Sequence, residues 1–113
     1  MAKTPEGLVK DKITKVLKEY GVYYFYPPAN GYGQSGRFDI CCSYRGHFIG
    51  IEVKADIKKR PTALQTKNAE AAANSGASVF LIHKDNITEL IIFLEGMKTN
   101  ATERYSRTHI WAT

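Results

Sequence analysis

The sequence predicts an α/β fold in a single domain spanning residues 1–113, and three stretches carry that prediction. Gly36 to Lys54, GRFDICCSYRGHFIGIEVK, alternates apolar and polar residues on either side of a tight Arg45-Gly46 reversal, the pattern of a β-hairpin. Thr4 to Tyr20 places Val9, Ile13, Val16, Leu17 and Tyr20 at helical spacing. Ala77 to His83 is a continuous apolar run, which suits a buried strand. Internal repeats, low-complexity tracts and interdomain linkers are absent.

The hairpin sets the register of everything near it. With Arg45 and Gly46 as the turn residues, Tyr44 faces His47, and counting back along both strands sets Asp39 opposite Glu52. Phe38, Ile40 and Cys42 are then expected on one face with Ile49, Ile51 and Val53. Arg37, Asp39, Glu52 and Lys54 gather at one end of the other. Two directly opposed carboxylates repel and cost stability, so a chain that pairs them is expected to need them for a cation.

The remaining elements follow in order. Thr4-Pro5 reads as an N-cap and a first-turn proline, and Gly21 as the stop of the first helix. Its stripe, continued backwards, reaches Glu6. An acid there either complements the helix dipole or points inward towards the acidic end of the hairpin. Val22 to Tyr26 reads as a strand. Pro27 to Gly36, PPANGYGQSG, reads as a loop leading into the Asp39 strand. Its Tyr32, Gln34 and Ser35 either contact substrate or merely connect. Ala55 to Arg60 carries Lys58, Lys59 and Arg60, a solvated run or a phosphate-neutralising one. Pro61 is expected to open an alanine-rich helix with Gln65 in its first turn and Gly76 at its end. Asp85 or Asn86 should cap a further helix, Ile87 to about Leu94, halted by Gly96. His109 to Thr113 reads as a terminal edge strand.

Bulk properties narrow the function classes. The formal charge is +5 and the isoelectric point about 9.3, which permits phosphate binding without requiring it. No apolar run is long enough for a membrane span, and the start lacks a signal-peptide core, so a soluble intracellular protein is expected. The two cysteines, Cys41 and Cys42, are adjacent and point to opposite faces, which fits a reducing compartment. With three scattered histidines there is no zinc-site spacing.

Asp39 with Glu52-Val53-Lys54 supplies the groups that metal-dependent phosphodiester cleavage requires. Two hard oxygen ligands suit Mg²⁺ or Mn²⁺, with water and phosphate completing the octahedron. The Val53 carbonyl is within reach of the same ion. Lys54, one pleat period past Glu52, shares its face and suits orienting the attacking water or stabilising transition-state charge. An E-x-K triplet alone usually marks a solvated face; the opposed aspartate makes the pattern more restrictive.

At these residues the chain resembles the PD-(D/E)xK nuclease superfamily, and the fuller string resembles its VRR-NUC branch, the virus-type replication-repair nucleases. That string is Gly36-x-x-Asp39, the hairpin, Gly50-Ile51-Glu52-Val53-Lys54 and a helix bearing Gln65. The resemblance implies a restriction-endonuclease-like α-β-β-β-α-β core, a mixed sheet flanked by helices. It also implies an acidic contribution from Glu6 on the first helix and a place for Gln65 near the catalytic residues. By similarity Glu6, Asp39, Glu52 and the Val53 carbonyl hold the metal, with Lys54 as the catalytic lysine. Phe38 departs from the pattern, which usually has proline before the aspartate.

The expected activity is a Mg²⁺- or Mn²⁺-dependent endonuclease acting on branched DNA, Holliday junctions above all, as a homodimer in the cytoplasm (the host's, if phage-encoded). Arg37, Tyr32, Gln34, Ser35, Lys58, Lys59 and Arg60 are the expected DNA contacts. The competing readings are a monomeric flap or single-strand nickase and a non-catalytic DNA-binding module whose carboxylates pair with Arg37 and Lys54.

Overall fold

The computed structural model describes residues 3–28 and 36–100, with side chains to Lys98. Helix α1 (Pro5–Glu19) starts where the Thr4 hydroxyl accepts the Gly7 N–H at 3.0 Å. It buries Val9, Ile13, Val16 and Leu17 on the stripe read from the sequence. Strand β1 (Tyr23–Phe25) follows, then β2 (Ile40–Tyr44) and β3 (His47–Val53), helix α2 (Ala63–Asn74), strand β4 (Ser78–Ile82) and helix α3 (Ile87–Asn100). The first six elements give the expected α-β-β-β-α-β order.

The sheet has the order β1-β2-β3-β4, antiparallel except for β3 beside β4. Such a parallel step needs a crossover, and α2 is its helix. Tyr44 pairs with His47 and Ile40 with Ile51, the register expected of the hairpin. Arg45 and Gly46 have φ of +53° and +82°, the two left-handed residues of a type I′ turn. Tight reversal is therefore built from one residue that adopts αL freely and one that pays for it.

One face of the sheet is filled by α1 and α3. Ile40, Cys42, Ile49, Ile51, Val53 and Ile82 meet Val9, Ile13, Leu17, Leu90 and Leu94 in one cluster. Each such side chain contributes roughly 1.5–3 kcal/mol by leaving water. The opposite face carries α2, and there the packing differs. Helix α2 has no buried residue, and Leu81 of β4 is 38% exposed beneath it. An alanine-rich helix has short side chains, so it lies over the sheet without filling the space between.

Four expectations change. Phe38 is buried, but on the α2 face: its ring lies where a Cβ on Gly50 would stand, 2.5 Å from the ring edge. The residue precedes β2, so the strand's alternation does not govern it, and Gly50 leaves the room its ring takes. The run Ala77 to His83 is a strand but is not buried on both faces, for the reason given by α2. Pro61 lies outside α2, whose N-cap is Thr62. Helix α3 passes through Gly96 to Asn100, because Leu90 and Leu94 are fully buried and Met97 packs on the core. Tertiary burial of that face outweighs the roughly 1 kcal/mol that an interior glycine costs. The expected strand at His109–Thr113 falls outside the described residues.

Candidate metal centre and its surroundings

Asp39 and Glu52 meet at the end of the hairpin away from the turn. Asp39 immediately precedes β2, and its backbone N–H donates to the Ile51 carbonyl at 3.0 Å, which continues the β2–β3 ladder by one residue. Its carboxylate reaches across that ladder, where Oδ2 accepts the Val53 N–H at 2.7 Å. This bond fixes the acid against the next strand.

Glu52 is 7% exposed, and its Oε1 is buried without a hydrogen-bond partner among the described residues. Its carboxyl is pushed up to about 9, first by burial and then by a hydrogen bond to Asp39 and the Asp39 charge; Lys54 pulls it down and Glu6 raises it slightly. In the protein alone, burial and the neighbouring Asp39 therefore favour the protonated form of Glu52. A buried carboxyl with an orphaned oxygen beside a second carboxylate is costly as it stands, and it fits a hard divalent cation, whose charge would ionise both groups.

Lys54 leaves the end of β3 half-buried, its Nζ 3.1 Å from Gln65 Oε1. The same Gln65 oxygen accepts the Thr62 N–H at 2.8 Å, while the Thr62 hydroxyl accepts the Gln65 N–H at 3.1 Å. Gln65 is thus half of a capping box, and the box ties the start of α2 to the lysine that follows β3. The Thr62-x-x-Gln65 spacing carries this signal in the sequence, where Gln65 otherwise looks like an ordinary surface glutamine.

Among the other expected residues, Val53 turns its side chain into the core with 1% exposure. Glu6 is exposed in the first turn of α1. Among the described residues no three His, Cys, Asp or Glu side chains form a metal-sized cluster. Arg37 is exposed and donates weakly to the Pro28 carbonyl at 3.5 Å. Neither Arg37 nor Lys54 forms an ion pair with the two acids; the ion pair among the described residues is Lys3 to Asp11, on the surface. Lys58, Lys59 and Arg60 are exposed, on a turn where Asp56 Oδ1 accepts the Lys58 N–H at 2.8 Å. Tyr32, Gln34 and Ser35 lie outside the described residues.

No family model matches the chain, and no curated protein matches it. The fold has a close counterpart in a solved structure described as a VRR_NUC domain. The superposition has a TM-score of 0.69 and 26% identity, and covers 80% of this chain and 97% of that one. The chain has the fold of a VRR_NUC domain. In this VRR-NUC-like domain the sheet and its two acids fall within the element order that the motif string implied. A cleft of about 290 Å³ opens beside Glu52, between α2 and the sheet, with Phe38, Gln65, Ala69 and Leu81 among its walls. Among the described residues no helix is long and apolar enough to cross a membrane.

Proposed function

We propose that the protein is a nuclease that cuts DNA phosphodiester bonds with Mg²⁺ or Mn²⁺, and that branched DNA is its substrate. The observation that carries this reading is the orphaned Glu52 Oε1 beside Asp39, in a domain of the VRR-NUC fold. Asp39, Glu52 and the Val53 carbonyl would hold the ion, and Glu6, whose charge acts on Glu52, would join through water. When bound, the ion supplies positive charge at the scissile phosphate and acidity at the attacking water. Asp39 contributes a carboxylate already oriented by the Val53 N–H. Lys54, steadied by Gln65, contributes a cation to the charge that builds on phosphate oxygens. Exposed Lys58, Lys59 and Arg60 neutralise flanking phosphates.

Holliday junctions are the preferred substrate in this reading, and a C₂ dimer is the species that cuts them. Two equivalent sites match a junction that is itself roughly two-fold, and a small domain reads shape through phosphates more readily than it reads bases. A non-catalytic module held together by ion pairs is disfavoured, because Arg37 and Lys54 leave the acids unpaired. Cleavage of a four-way junction, with flap and duplex controls, tests the proposal: paired symmetric nicks support the dimer, and cutting of the flap alone supports a monomeric nickase. Calorimetric titration with Mn²⁺ should give binding that Asp39→Ala abolishes, and a folded wild type that binds no Mn²⁺ would defeat the reading.

A further inference from the structure

The α2 face of the sheet has a second half that α2 borders without covering. Tyr23 and Phe25 on β1 and Phe48 on β3 stand on it, 68%, 48% and 42% exposed. Cross-strand pairing puts Phe25 beside Cys41, and Cys41 beside Gly50. The floor between the rings is therefore small and flat. Phe25, Phe38 and Phe48 wall a groove of about 470 Å³ there, with Cys41, Arg37 and, from α2, Asn68 also in its lining. Phe38 also walls the cleft beside Glu52, so one ring separates the groove from the acids. Its centroid is 6.2 Å from that of Phe48, the two rings tilted by 54°.

We propose that this groove seats an unpaired nucleotide of the DNA strand, next to the phosphate that is cut. This rests on the nuclease reading and adds to it what the substrate must offer. Three properties select a nucleotide. The walls are aromatic, and a base stacks on an aromatic face whatever its identity. Among the described residues Arg37 is the charged side chain of the lining and no carboxylate lines it, so the electrostatics suit a phosphodiester. The groove adjoins the carboxylate pair across the Phe38 ring: Cys41 follows Asp39 by one pleat period, about 7 Å along the strand. A base inside a duplex has both faces covered by its neighbours and cannot enter, so the groove selects for strands opened at a branch, a flap or a gap. Asn68 offers an amide to the base edge, which orients the base without choosing it.

The test measures binding without cleavage. Full-length protein in chelator is titrated, by fluorescence anisotropy, with a short oligothymidine and with a blunt duplex at one salt concentration. Phe25→Ala and Phe48→Ala should each weaken the single strand about tenfold and leave the duplex nearly unchanged. Phe25→Leu, which keeps the bulk and loses the ring, should behave like Phe25→Ala, and melting temperatures identify any variant that fails to fold. Equal losses on both ligands, or none on the single strand, overturn the proposal. Loss of a dimer in light scattering, with single-strand affinity unchanged, also overturns it and assigns the face to a second copy of the chain. Because the readout needs no metal, the stacking proposal and the nuclease reading can fail separately.

Discussion

The two faces of one sheet follow opposite rules. On the side of α1 and α3, Ile40, Ile49, Ile51 and Ile82 have no exposure at all. On the side of α2, the sheet leaves Phe25, Phe48 and Leu81 open and sets two carboxyls beside each other. Strand β3 feeds both: Ile49, Ile51 and Val53 go to the core, while Phe48, Gly50 and Glu52 go to the other side. Stability and chemistry are thus carried by alternate residues of one chain segment. A register slip of a single residue would exchange them.

Substitutions on the two faces should separate stability from activity. Ile51→Ala removes a fully buried side chain and should cost about 2–5 kcal/mol in urea unfolding, the largest effect. Asp39→Asn should lower cleavage by about 10²–10³-fold, the scale of losing one preorganised charge-stabilising group. Its unfolding free energy should fall far less than that of Ile51→Ala, since the amide oxygen still accepts from Val53. Comparable destabilisation by the two would end the division proposed for the sheet.

Glu52 sharpens the same contrast through pH. Its folded value, pushed up to about 9, lies above the ordinary 4.5, so the unfolded chain gives up the proton more readily. Stability without metal is then fully present below about 4.5 and is lost as pH rises through about 9. Thermal melts in chelator should show that decline. Mg²⁺ should offset it most at the alkaline end, and Glu52→Gln should flatten it. The smallest effect belongs to the junction of the two halves. Gln65→Ala should cost about 1 kcal/mol by breaking the capping box, and Gln65→Glu should recover most of it, because the box accepts either side chain.

Several features of the candidate centre were legible in the chain. Alternation on both sides of Arg45-Gly46 leaves one register that keeps every isoleucine on a single face, and that register brings Asp39 to Glu52. Phe38 departs from the expected face because it lies two residues before the strand's start, where period two no longer holds. Gln65 looked ordinary until the Thr62 hydroxyl and the Lys54 ammonium were seen around it, although the capping spacing was readable. Gly96 looked like a helix stop because local propensity says nothing of Leu90 and Leu94 beneath it.

Local pattern alone determined the hairpin, the α1 stripe and the pairing of the acids, because each depends on periodicity and on neighbours a few residues apart in sequence or across a tight turn. The tertiary structure decided which face α2 would cover and how incompletely. It also decided that Glu52 would be buried with one oxygen orphaned, and that Phe38 would stand between the acids and an open aromatic groove. Those outcomes depend on the space left between elements far apart in the chain, and that space is set by packing.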